Sequence, residues 1–109
     1  MITRIFRVRV PEHLHHEFEM KFSTISVNAV TSQPGLISVS LGKPTAWTPD
    51  EYVMMTTWED EQSLREFAGE NWSQAVIPEG MEKFVMECWV HHYQMLEINE
   101  NDCNQKSRA

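Results

Sequence analysis

Two adjacent imidazoles, His91 and His92, are the side chains best suited to chemistry in this chain. An imidazole changes charge near neutral pH, so either ring is a candidate catalytic base. Both lie in the run ECWVHHYQMLEI, residues 87–98, which reads as the last strand. Successive strand residues face opposite sides of a sheet. One imidazole therefore faces a helix layer and the other the far side, and the two do not chelate one metal as a simple pair. The competing role for each is that of a hydrogen-bonded structural histidine. Trp89 and Tyr93 share the face of His91 and suit an interface, where aromatics are enriched.

Phe67 and Trp72 follow at helical spacing and offer an aromatic wall for a flat molecule, or simply a core stripe. Arg4 shares a strand face with Phe6. A buried guanidinium there needs an acidic partner or an anionic ligand, and in this acidic chain a carboxylate is the simpler expectation. Trp58 closes a strand and reads first as a structural ring. Phe6, Phe67, Trp72, Arg4 and Trp58 are the candidate substrate-binding set. His13, His15 and His16 read as solvated surface, and no metal site is expected from them. Cys88 reads as buried and inert, Cys103 as an exposed thiol without activating charge. No phosphate loop, nucleophile motif or diagnostic carboxylate pair is present.

The bulk properties narrow the classes. A length of 109 residues fits one domain, and the net charge of −7 disfavours a nucleic-acid or anionic-membrane surface. No apolar run is long enough to span a bilayer. Arg4, Arg7 and Arg9 interrupt the first apolar stretch, so it does not read as a signal peptide. The two cysteines lie far apart with no C-x-x-C, which points to a reducing, cytoplasmic setting.

The elements that must position these residues follow from periodicity. Residues 2–10 (ITRIFRVRV) alternate as a strand, with Arg4, Phe6, Val8 and Val10 on one face. After Pro11, the stripe Leu14, Phe18, Phe22, Ile25 and Ala29 predicts a helix of about five turns. Ser32-Gln33-Pro34-Gly35 stops it. Residues 36–41 (LISVSL) form a second strand, paired antiparallel with a third, residues 52–58 (YVMMTTW). The third strand is apolar throughout and is expected to be buried on both faces. Asp60 is the N-cap candidate of a second helix carrying Leu64, Phe67, Ala68 and Trp72, weakened at Gly69. A short acidic helix is expected over residues 79–85. The order β-α-β-β-α-β predicts an α+β, ferredoxin-like domain over residues 1–98: a four-stranded antiparallel sheet with both helices on one face. Residues 99–109 are expected to form a polar, flexible tail. The uncovered sheet face predicts a homodimer, an α/β barrel made of two sheets.

These features together resemble the antibiotic biosynthesis monooxygenase family of dimeric α+β barrel proteins. The resemblance rests on Pro34-Gly35 before a strand, a strand ending Thr57-Trp58, then Glu59-Asp60-Glu61-Gln62-Ser63-Leu64 and Phe67, and it covers about residues 1–97. It implies a ligand pocket between sheet and helices. The haem-degrading branch relies on an Asn, a Trp and a His. Laid along this chain without gaps, that pattern falls on Phe6, Phe67 and Ile77, so the resemblance disfavours haem degradation. Many members carry a His where Trp72 stands. The function the resemblance implies is cofactor-independent monooxygenation of a small aromatic or quinol-like molecule, with His91 or His92 removing a phenolic proton. The alternative is a non-catalytic, dimeric small-molecule-binding or stress-related accessory module.

Overall fold

The computed structural model describes residues 1–98. The tail expected over residues 99–109, and Cys103 within it, lie outside the described residues. The chain runs β1 (Ile2–Arg9), a 3₁₀ turn (Glu12–Leu14), α1 (His15–Lys21), a π-helical turn (Phe22–Ser26), α2 (Val27–Thr31), β2 (Leu36–Gly42), β3 (Glu51–Trp58), α3 (Glu61–Ala68), a second 3₁₀ turn (Glu82–Phe84) and β4 (Glu87–Gln94). The sheet order is β2-β3-β1-β4, and every neighbouring pair is antiparallel. This is the expected ferredoxin-like arrangement, with both helical arms on one face.

The first helical arm carries a correction. Ile25, placed on the core stripe, is exposed, while Ser26 and Val30 are buried with Phe18 and Phe22. The buried positions recur every four residues. A straight α-helix has 3.6 residues per turn and would rotate such a stripe off the core. The π turn at Phe22–Ser26 takes in extra residues and holds the stripe in line.

The sheet has one closed face and one open face. Ile2, Arg4, Val8, Tyr52, Met54, Thr56 and Trp58 are buried beneath the helices. β3 was expected to be buried on both faces, but in the single chain its other face carries half-buried Val53 and Thr57 and exposed Met55. No element of the described residues covers that side.

Helix α3 begins as expected: Asp60 Oδ1 accepts a hydrogen bond from the Ser63 backbone N–H at 2.8 Å. It ends at Ala68, at the weak point expected near Gly69, and does not restart before Trp72. Gly69 adopts φ +86°, ψ −178°, a conformation open almost only to glycine, and breaks the helix. Trp72 is therefore not on the same helix as Phe67. The acidic helix expected at residues 79–85 is only the 3₁₀ turn Glu82–Phe84, because Pro78 and Gly80 (φ +91°) leave no room for a longer one. The last strand ends at Gln94, not Ile98, since β1 offers no partner beyond Ile2. Cys88 is half-buried rather than buried. His15 is half-buried too, its Nε2 bonded to the Val10 carbonyl at 2.8 Å.

Candidate functional site

Between sheet and helices lies a narrow cavity of about 40 Å³. β1 contributes Arg4, Phe6 and Val8; β3 contributes Met54 and Thr56. The first helical arm supplies Phe18, Phe22, Ser26, Ala29 and Val30. Phe67 from α3, with Val76, Ile77, Pro78 and Met81 from the segment that follows, closes the roof. A water needs about 10–15 Å³ of such space, so the slot holds a few waters as it stands. A ring enters only if the roof moves. The roof segment is bracketed by the two positive-φ glycines, Gly69 and Gly80.

Arg4 is the one ionisable side chain on that wall among the described residues. It is 4% exposed. Its Nη1 donates to the Trp72 carbonyl at 2.6 Å and to His92 Nε2 at 2.9 Å; its Nη2 donates to the Gln74 carbonyl at 2.9 Å. The expected carboxylate partner is absent among the described residues: every ion pair there involves other cations. Burial lowers the Arg4 pKa to about 10, so the group stays charged at neutral pH. Arg4 thus ties the strand to the roof segment through two carbonyls.

His92 turns to the helix side because it pairs with Arg4 across the sheet; His91 pairs with Ile5 and faces the open side. A guanidinium has no acceptor atom, so His92 Nε2 must be the acceptor and its proton sits on Nδ1. Burial, then the charge of Arg4, then His91, lower the His92 pKa to about 4. His92 is therefore neutral at physiological pH. Its ring meets Trp72 edge-on, with centroids 4.5 Å apart. His92 and Trp72 form a layer behind Arg4 and do not line the cavity.

Trp58 also stands behind the wall. It is fully buried, stacks on Phe67 at 5.3 Å, and donates from Nε1 to Thr56 Oγ1 at 2.9 Å. The structure thus brings Arg4, Phe6 and Phe67 to the cavity, sets His92, Trp72 and Trp58 one layer back, and places His91 across the sheet. Ser26, Thr56 and Met81 are cavity residues that sequence reasoning missed. The signal for Ser26 was the four-residue spacing of Phe18, Phe22, Ser26 and Val30, which differs from the 3.6 period of a regular helix. Among the described residues no cluster of three or more His, Cys, Asp or Glu side chains is placed to hold a metal ion. No helix there is long and apolar enough to cross a membrane.

Comparison with solved structures finds the same fold across nearly the whole chain. A protein of Deinococcus radiodurans assigned to the antibiotic biosynthesis monooxygenases superposes with a TM-score of 0.70 at 11% identity, covering 91% of this chain and 96% of its own. SnoaB, a cofactor-independent oxygenase from Streptomyces nogalater, gives a TM-score of 0.68 at 16% identity, covering 89% and 94%. The haem degrader MhuD of Mycobacterium tuberculosis gives 0.66 at 17% identity, covering 91% and 100%. No curated protein sequence matches the chain. The family model for antibiotic biosynthesis monooxygenases matches residues 1–78, well over half of the sequence, and the chain belongs to that family.

Proposed function

We propose that this protein is a cofactor-independent monooxygenase acting on a small phenolic or quinol-like aromatic, and that it works as a homodimer. The observation that carries the reading is the apolar slot with one cation, Arg4, on its wall and a neutral imidazole, His92, bonded directly behind it. Phe6 and Phe67 flank the ring of the substrate, and Arg4 meets its hydroxyl oxygen. Trp58 and Trp72 hold Phe67 and His92 in place from behind. The phenolic proton passes through a water in the slot to His92 one layer back, whose Nε2 is freed as Arg4 turns that N–H to the phenolate oxygen. The basicity of His92 is low first because it is buried and then because Arg4 opposes a second positive charge; a phenolate forming against Arg4 offsets that charge and makes the proton welcome.

The remaining chemistry belongs to the substrate and oxygen. The phenolate gives one electron to O₂; the resulting radicals combine at a hydrogen-bearing ring carbon ortho or para to the oxygen, and the peroxide takes up the proton. The hydroperoxide loses water, leaving a quinone. The phenol is oxidised by four electrons and O₂ is reduced by four: one oxygen atom ends in the quinone and the other in water. Closure of the roof keeps solvent from the radicals.

A second reading is supported by a specific observation. The His92 lone pair is already engaged by Arg4, which suits a non-catalytic module that only binds an aromatic molecule. Oxygen uptake with a panel of quinols and anthrones separates the two. The monooxygenase reading expects uptake by the wild type and a loss of about 100-fold or more in kcat for His92→Gln, the usual scale of a general base. His91→Gln, altered on the other sheet face, should retain kcat. No uptake together with tight aromatic binding selects the binding module.

A further inference from the structure

We infer that the slot selects its aromatic ligand in ionised form, with Arg4 gripping a phenolate or carboxylate oxygen and Ser26 donating a second hydrogen bond. The inference deepens the aromatic-pocket reading above and rests on it. Three observations support it.

The first is donor arithmetic. A guanidinium has five N–H donors. Three contacts are made, two from Nη1 and one from Nη2. The two N–H groups left over sit on Nε and Nη2, neighbouring nitrogens that can donate to an anionic oxygen.

The second is charge. Arg4 is surrounded by carbonyls, an imidazole acceptor and apolar side chains, with no carboxylate among the described residues in a chain of net charge −7. A buried, uncompensated cation is costly to a fold that has sixteen acidic residues with which to neutralise it. A bound anion completes the pair in a site where screening by water is weak.

The third is Ser26. It is 8% exposed, lies on the π turn and faces the slot. Ser23 and Thr24, on the same turn, spend their hydroxyls on helix carbonyls. Among the described residues the Ser26 hydroxyl makes no such bond, yet no buried polar atom is left sealed and unpaired, so the hydroxyl opens on the cavity. An available hydroxyl in an otherwise apolar helical wall is a hydrogen-bond donor for a ligand.

The probe is 4-nitrophenol, which turns yellow on ionisation near neutral pH, so the state of the bound molecule is read directly from its absorbance. Titrations above and below its pKa give separate affinities for phenol and phenolate. Wild type should bind the phenolate at least about tenfold more tightly, a fall of one unit or more in the pKa of the bound probe. Arg4→Met should abolish the fall, Arg4→Lys should keep part of it, and Ser26→Ala should weaken binding of the ionised form several-fold. The wild-type measurement stands alone if Arg4→Met does not fold. A bound probe whose pKa is unchanged or raised overturns the inference while leaving the aromatic pocket in place. Absence of binding at millimolar concentration in either state also overturns it. Absence of oxygen uptake with quinols, with the pKa of the probe lowered, sinks only the monooxygenase reading.

Discussion

At the scale of single residues, the site turns on the contact between Arg4 and His92. The two side chains pair across β1 and β4, and each explains the state of the other. Burial and then the charge of Arg4 keep His92 neutral, and His92 takes one of the five guanidinium donors. A pH effect on stability follows. The ordinary His92 pKa of 6.5 falls to about 4 in the fold. Between those values the unfolded chain binds a proton that the folded chain does not, so this contribution is complete above pH 6.5 and is lost as pH falls towards 4. The slope is at most about 1.4 kcal/mol per pH unit, and solvent screening of this partly exposed ring makes it smaller. His92→Gln keeps an acceptor for Arg4 and cannot titrate there. Urea unfolding across pH 4–7 should show a shallower loss for that variant; identical slopes would mean that His92 does not titrate as described. Much of this pairing was legible in the alternation of the two strands, which put Arg4 on a core face and one His opposite it. What filled the space around Arg4 was not legible, because its partners are the backbone carbonyls of Trp72 and Gln74, and a carbonyl leaves no mark in a sequence.

At the scale of elements, two turns decide where the slot lies. The π turn at Phe22–Ser26 brings Ser26 and Val30 onto the wall in place of Ile25. The break at Gly69 frees Trp72 from α3 and lets residues 70–80 cross above the sheet. Periodicity predicts regular elements, so the π turn escaped it, while Gly69 did mark the weak point of the second helix; the order of the strands and the Asp60 cap were read correctly, the far ends of α3 and β4 were not. The family signature Pro34-Gly35 also acquires a physical reason. Gly35 has φ +85°, and a Cβ there would lie 2.4 Å from Ser63 Cβ in the first turn of α3. Its carbonyl accepts from the Glu59 N–H at 2.9 Å. Gly35→Ala should therefore destabilise the protein by about 1–3 kcal/mol, the range for a strained backbone. Gly80→Ala serves as a control: it has a similar φ but nothing within 4 Å of the added carbon. Thermal unfolding should place Gly35→Ala clearly below Gly80→Ala; equal midpoints would remove the packing argument.

At the scale of the whole molecule, the open sheet face is the unfinished part of the fold. Half-buried Ile5 and Trp89 and exposed Met55 and Tyr93 lie on it, with His91 among them. Arg7 sits 5.5 Å from the Trp89 ring and is tied to Glu51 at 3.0 Å, so the charge at that edge is compensated. A second copy of the same sheet covers such a surface most simply. Met55→Asp, in the middle strands, should convert a dimer to a monomer in light scattering and lower the unfolding midpoint. A wild type that is monomeric at micromolar concentration would contradict the pairing. The burial of β3 on both faces, expected from its composition, is met in the single chain on the helix side alone; the proposed pairing would bury its outer residues as well.

The monooxygenase reading meets its most direct test in isotope labelling. Protein stripped of metal with chelator, and checked to be free of flavin and haem, is given ¹⁸O₂ and the quinol or anthrone that supports the fastest uptake. One labelled oxygen atom in the quinone and one in water, with activity undiminished by stripping and lost in His92→Gln, is the expected result. Unlabelled product, or turnover that returns only when a metal or flavin is added, would contradict it.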